Sequence, residues 1–573
     1  MARYGGMGRP ARAGAALGLT VALAAGVLSG SAPRPAPAAA APGAAEVVLT
    51  GDALTLDDLF ALLDADTVAV RLAPSAARRM TRARAGALAA LGGGQRVYGW
   101  NQALGPLKDQ PLSDADQRAF QQHILRSHAA GVGPALPAPV ARLALVLRAN
   151  AMARATMGVR PAVVQRLLSL VNAGVTPRMP EIGSLGTGDL QPMAAAGLVA
   201  AGEPAPAAFD GREGPARRVL AAAGLPTSFT FESGEVLPLI SGGSVLLARY
   251  VHALRRLRDL SEQFDGAFAL FLEATRAEAG SLDARTHAER RIPAEEDAAA
   301  RLRALVRGSE WMTDAGRHRL GEEHPRVQDA VSVRAAPHIV GTLRQTLAEA
   351  RTLVEREANA STSNPLVLPR GSRGYEFVMG GNWDAAQLGH AIDTVNAQAA
   401  DLGILAHELG GRLLAEKWSY GLPANLAGGR VGLNSGLVQA QTVATALIPE
   451  MQVRAVPAGV LSRPVKFGQE DHNTMAMASV RHLHENLDRL EVVLAVQWLL
   501  GAQGVDAIRE RMGPLALGAG SAAAHAAVRR HVPALAEDRY LTPDVEEMVA
   551  LVRGPELLAA VRTANPAYPM RAA

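Results

Sequence analysis

The chain of 573 residues contains no cysteine. That excludes a disulfide framework, a lipid-modified cysteine and thiolate chemistry. Aromatic residues are scarce at 4%. A surplus of charge is also missing, despite a formal net charge of +4 and a pI of about 9.6. Residues 1–41 hold no Asp or Glu, so Arg3, Arg9, Arg12 and Arg34 account for the whole excess. The remainder balances at 54 basic against 54 acidic residues. No surplus is left to neutralise phosphates, which argues against a nucleic-acid partner. Familiar site motifs are missing too. There is no P-loop and no G-x-S-x-G, and His407-Glu408-Leu409-Gly410 is not H-E-x-x-H. His482 and His484, two apart on a helix, point in different directions. Gly183, Gly186 and Gly188 lack the preceding strand and the spacing of a dinucleotide loop. Metal, nucleotide and serine-hydrolase readings therefore fall away. No self-similarity at 20–50 residues appears, which argues against a solenoid.

What is present reads as a helical globular protein. Hydrophobic residues make up 49% and charged residues 20%, and Ala, Leu, Arg and Glu, all strong helix formers, run through most segments. Residues 1–45 read as an export signal and a Pro/Ala-rich linker. Arg3, Arg9 and Arg12 precede an apolar stretch from Ala13 to Leu28, followed by small-residue sites such as Ala38-Ala39-Ala40. The alternatives are an uncleaved anchor or a misplaced start, which would leave the protein in the cytoplasm. Residues 46–240 form a loop-rich N-terminal region. Residues 241–515 form a central bundle of long helices, and 516–573 a C-terminal helical segment. The bundle is read from apolar stripes at helical spacing. One runs from Val245 through Leu260 to Phe271, and others span Gln328–Ala358, Asp384–Leu414 and Thr474–Gly501.

The functional signal lies in eight short segments. Gly183-Ser184-Leu185-Gly186-Thr187-Gly188-Asp189-Leu190 closely resembles the catalytic loop G-S-V-G-A-S-G-D-L of the histidine and phenylalanine ammonia-lyases. Val97-Tyr98-Gly99-Trp100-Asn101, Ser127-His128-Ala129-Ala130-Gly131 and Asn172-Ala173-Gly174-Val175-Thr176-Pro177 resemble family segments in the same order. So do Gln328-Asp329-Ala330-Val331-Ser332-Val333-Arg334, Asn359 to Pro365 with the Gly380-Gly381-Asn382 turn, Gly432 to Gly436, and Gly468-Gln469-Glu470-Asp471-His472. On these residues the chain is identified as a divergent member of the aromatic amino-acid ammonia-lyase and aminomutase family. The resemblance implies a mainly α fold with a long central bundle, a homotetramer with shared active sites, and a small amino-acid-like substrate bearing a carboxylate.

The resemblance also assigns roles. Tyr98 corresponds to the base that takes a proton from the substrate's weakly acidic β-carbon, although a buried structural tyrosine would look the same in sequence. Arg334 corresponds to the arginine that grips the substrate carboxylate, a task suited to a planar guanidinium. A helix-surface ion pair is its bland alternative. Glu470 corresponds to the glutamate beside the amine, with Gln469 and Gln328 as polar neighbours, or else it interacts with a helix dipole. His128 and Ser241 fall in matching segments, and Trp383 marks an altered aryl pocket or simple packing.

The departures concentrate around the electrophile. The family needs no external cofactor because Ala-Ser-Gly cyclises into methylidene-imidazolone (MIO). Here Gly186-Thr187-Gly188 stands in its place, one residue shorter and without the serine. Val331 and Ser241 replace a tyrosine and an asparagine of the family pattern. The expectation is an exported lyase-family enzyme working by elimination or its reverse, with the MIO electrophile absent or modified. A threonine-derived electrophile could form from Gly186, Thr187 and Gly188, but a plain glycine turn is the preferred reading. A non-catalytic homologue that binds ligand or stabilises a partner lyase is the alternative.

Overall fold

The computed structural model describes residues 45–566 and 568. The predicted export signal and linker lie outside the described residues, except Ala45, which opens the first strand. Four long helices organise the remainder: α1 (Ser244–Thr275), α2 (Ala336–Ala358), α3 (Ala386–Leu414) and α4 (Ala476–Met512). At 1.5 Å per residue they are roughly 35–55 Å long. α4 packs along both α3 and α1, and α2 crosses both α3 and α1. The mainly α fold with a long central bundle is therefore as expected.

Burial follows the apolar pattern. Every predicted stripe residue of α1, from Val245 to Phe271, is buried. The last third of α1 is buried all round, as a helix at the centre of a bundle must be. Its Phe264, Phe268 and Phe271 rings stack at 5.6 and 5.9 Å between centroids. Gly266 makes room for the Trp498 indole of α4, which a Cβ at that position would meet at 2.5 Å.

Two helix limits differ from the sequence expectation. The second helix starts at Ala336, not Gln328, and Val331–Arg334 forms a separate single turn. Pro337 explains the break, since proline lacks an N–H and is tolerated only in a helix's first turn. The fourth helix continues past Gly501 to Met512. Gly501 and Gly504 permit close approach of Leu270 and Ala274 of α1, each 3.0 Å from where a Cβ would stand. They serve packing rather than termination.

Small sheets brace the N-terminal region. Val132–Ala135 pairs antiparallel with Pro180–Ile182, and the second of these strands, against the expectation of none before the glycines, runs directly into the Gly183–Asp189 loop. The helix Leu190–Ala201 leaves the loop on its other side. One apolar core runs from Val47 to Tyr568, joining the N-terminal region, the bundle and the C-terminal helices. The loop is thus held between a strand and a helix beside the start of α1.

Candidate active site

Glycine geometry shapes the loop. Gly186 and Gly188 both hold φ near +90°, a region open to glycine and strained for other residues. At Gly186 a Cβ would also lie 2.6 Å from Thr474 Oγ1 and 2.8 Å from Ala476 Cβ. Thr187 between them is buried, and its hydroxyl donates to Asn473 Oδ1 at 2.7 Å. Asn473 is itself oriented, because its Nδ2 donates to the Arg463 carbonyl at 2.7 Å. An isolated bridge to Asp384 ties Thr187 to the segment ahead of α3.

Beneath the loop lies a charged floor. Asp189 is fully buried and accepts hydrogen bonds from the first amides of α1, Val245 at 2.7 Å and Leu246 at 3.1 Å. Ser184 Oγ donates to the same carboxylate at 2.9 Å and accepts from the Gly186 N–H at 3.1 Å. Burial raises the Asp189 pKa to about 6 despite these bonds. Arg148 is fully buried in the helix Ala138–Ala153 and donates to the carbonyls of Ser241 and, at 3.0 Å, Thr362. Its pKa falls to about 10, chiefly by desolvation. Glu357 completes the floor, with a pKa raised by burial to about 7 and lowered in part by Arg148.

A cavity of about 770 Å³ opens beside Thr187. Tyr98, His128 and Ser241 line it, as do Trp383, Gln469 and Glu470. The Tyr98 hydroxyl accepts the Gly105 N–H at 2.8 Å, which favours the phenolate. Burial works against that bond and raises the Tyr98 pKa, and the Glu470 charge adds to the rise. His128 Nδ1 contacts the Ile124 carbonyl at 2.9 Å, so Nδ1 carries the proton and Nε2 is left as an acceptor. Desolvation lowers its pKa, keeping the ring neutral. Glu470 pairs with Lys466 inside the cavity. It stands in the loop ahead of α4 and not at the helix start, so the helix-dipole role is replaced by this ion pair.

Gln328 and Arg334 are not brought to this cavity within one chain. Both are exposed. Arg334 Nε donates to the Asp329 carbonyl at 2.8 Å, and among the described residues no carboxylate pairs with the guanidinium. Asp329 anchors this segment, buried and accepting the Glu278 N–H at 2.7 Å. Gly186 and Gly188 set the backbone of the loop, while Thr187 faces the cavity.

Sequence reasoning missed Lys466, Asn364, Arg148 and Glu357. Lys466 lies four residues before Glu470, and Asn364 sits within a quoted segment, accepting the Gly380 N–H at 2.8 Å. Arg148 had a readable signal, a lone charge in the apolar run Leu143–Ala153. Glu357 had none.

The sequence profile of the aromatic amino acid lyase family matches residues 54–530. A histidine ammonia-lyase of Chloroflexus aurantiacus is 36% identical over 524 residues, covering 90% of this chain and 98% of the relative. A tyrosine ammonia-lyase of Cupriavidus metallidurans is 34% identical, over 82% and 89% respectively. Among solved structures, tyrosine aminomutase from Streptomyces globisporus superposes with a TM-score of 0.83 at 30% identity, over 91% of this chain and 99% of that one. The family profile and these relatives define a lyase. The chain belongs to the aromatic amino acid lyase family.

Proposed function

We propose that this lyase is exported and acts on a small amino-acid-like carboxylate by elimination or its reverse, with the loop at Gly186-Thr187-Gly188 left unmodified. The observation that carries this reading is the gathering of Tyr98, Thr187, His128 and Glu470 around one cavity. The relatives are named for histidine and tyrosine, which points to an α-amino acid or a close analogue. Tyr98 takes the proton from the substrate β-carbon, the bond to the leaving group breaks, and a carbon–carbon double bond forms. The Gly105 N–H stabilises the phenolate during that transfer.

Gly186-Thr187-Gly188 does not match the residues that make the family's MIO group, so no step is routed through such a group. Thr187 offers the tripeptide's one hydroxyl, and that hydroxyl is held by Asn473. Without an electrophile to draw electrons from the amine, the leaving group must depart unaided, which favours a better one than ammonia. Arg334 and Gln328 stand on the surface, which supports a homotetramer in which they reach the cavity of a neighbouring copy. The export reading rests on the composition of residues 1–45.

The test is the peptide-resolved mass of the purified protein across Gly183–Leu190, with turnover assays on histidine, tyrosine and phenylalanine. An unmodified peptide and no ammonia release from these three is the expected result. Loss of two waters within that peptide would overturn the unmodified loop in favour of a threonine-derived electrophile.

A further inference from the structure

Away from the cavity, three side chains from three helices converge where no sequence motif would place them. His287 lies on the helix Ala284–Arg290, Glu295 in the first turn of Pro293–Leu305, and His338 in the first turn of α2. One potential ligand atom from each lies within 4.8 Å of the other two. The His287 and His338 rings are 5.2 Å apart between centroids. Glu295 Oε2 is 2.6 Å from His338 Nδ1.

His287 carries the argument. Its side chain is 2% exposed, and Nε2 lies 3.0 Å from the Ser281 carbonyl oxygen. A carbonyl only accepts, so Nε2 holds the proton and Nδ1 presents a lone pair. Among the described residues that Nδ1 is buried with no hydrogen-bond partner. A buried unpaired acceptor is costly. A ring held by one N–H on a backbone carbonyl, with its second nitrogen free, is how metal-ligating histidines are usually oriented.

We propose that His287, Glu295 and His338 bind a divalent cation of the zinc class. Two imidazoles and one carboxylate suit zinc, with water in the fourth position. Tetrahedral bonds of about 2.0–2.2 Å place ligand atoms roughly 3.3–3.6 Å apart, so the Glu295–His338 contact opens from 2.6 Å to admit the ion. Arg290 reaches Glu295 at 3.3 and 3.4 Å from an exposed position and is displaced on binding. A neighbouring cavity of about 410 Å³ reaches His287 and is lined by Glu296, Asp297 and Arg303, two carboxylates against one guanidinium, which leaves a way in for the cation. The backbone around the site is close-fitting, since a Cβ on Gly341 of α2 would fall 2.7 Å from Glu295 Cα. The ion would clasp the first turn of α2, through His338 four residues beyond Arg334, to the helices Ala284–Arg290 and Pro293–Leu305. This proposal does not depend on the substrate reading.

The experiment uses the full chain, stripped with a chelator and titrated with zinc by calorimetry. Cobalt(II), whose visible absorption reports tetrahedral ligation, serves as a second probe. The expected result is one zinc per chain, a Tm that rises with zinc concentration, and the cobalt spectrum. His287→Gln and His338→Gln should each weaken binding more than about tenfold, whereas His324→Gln, at an exposed histidine outside the cluster, should not. His338 is half-buried, so its variant keeps the test alive if the His287 variant fails to fold. Absence of saturable binding to the unaltered chain, or undiminished binding in the folded variants, would overturn the proposal.

Discussion

The floor of the Gly183–Leu190 loop and the Gln328–Arg334 segment each lie at a stretch that resembles the family pattern, yet this chain treats them in opposite ways. Asp189 and Arg148 sit under the loop out of water, with the partly buried Glu357 beside them, and burial moves the pKa of each. Gln328 and Arg334 stand in solvent, joined to the body through the buried Asp329. Low dielectric makes the first group sensitive to any change of charge, while solvent screens the second. Substitutions under the loop should therefore register in folding. Substitutions at Arg334, the carboxylate-binding arginine that the proposed function assigns, should register in binding alone.

The largest expected effect falls between these regions, at Tyr98. Tyr98→Phe should lower turnover by about 10²–10⁴-fold, the usual contribution of a general base, with ligand affinity nearly unchanged. Steady-state kinetics on any substrate found, paired with binding of its unreactive analogue, checks both halves. Retained turnover would remove Tyr98 from the chemistry.

Arg334→Ala sharpens the comparison from the exposed side. Loss of a charge-assisted grip on a carboxylate should weaken binding by roughly 1.5–3 kcal/mol. Folding stability should shift by no more than about 0.5 kcal/mol, as for an exposed position. A large fall in Tm without a change in affinity would break the contrast.

Glu357→Gln tests the buried side and is read through pH. The folded-state pKa, about 7, lies above the ordinary 4.5. The folded protein therefore holds its proton more tightly than the unfolded chain does. The stabilising contribution is complete below about pH 4.5 and is lost as pH rises through about 7, and Asp189, raised to about 6, acts with the same sign. The substitution should shrink the stability difference between about pH 5 and pH 8 by about 1–3 kcal/mol, measured by urea unfolding at each pH. An unchanged difference would mean that the carboxylate is hydrated.

Much of this organisation was legible before folding. The four long helices declare themselves because an apolar residue every three or four positions has one stable use, burial of one face. Where those readings slipped, a specific residue was responsible. Pro337 delayed α2, and Gly501 marked close packing against Leu270 instead of an end. The cavity residues were legible through resemblance, since Tyr98, His128, Trp383 and Glu470 each stand in or beside a quoted segment and Ser241 stands where the family pattern has an asparagine. Lys466 escaped because its role comes from pairing across a loop turn with Glu470.

The sequence by itself determined the helical class, the family and the residues Gly186-Thr187-Gly188 of the loop, because periodicity, motif order and residue identity are local properties of the chain. Tertiary structure alone decided that Arg148 and Glu357 lie beneath the same loop, that Arg334 stands apart from Tyr98 within one chain, and that His287 meets Glu295 and His338. Each of those facts depends on which faces of distant helices come to share a dry interior. Burial then sets the charge and the partners that such groups can keep.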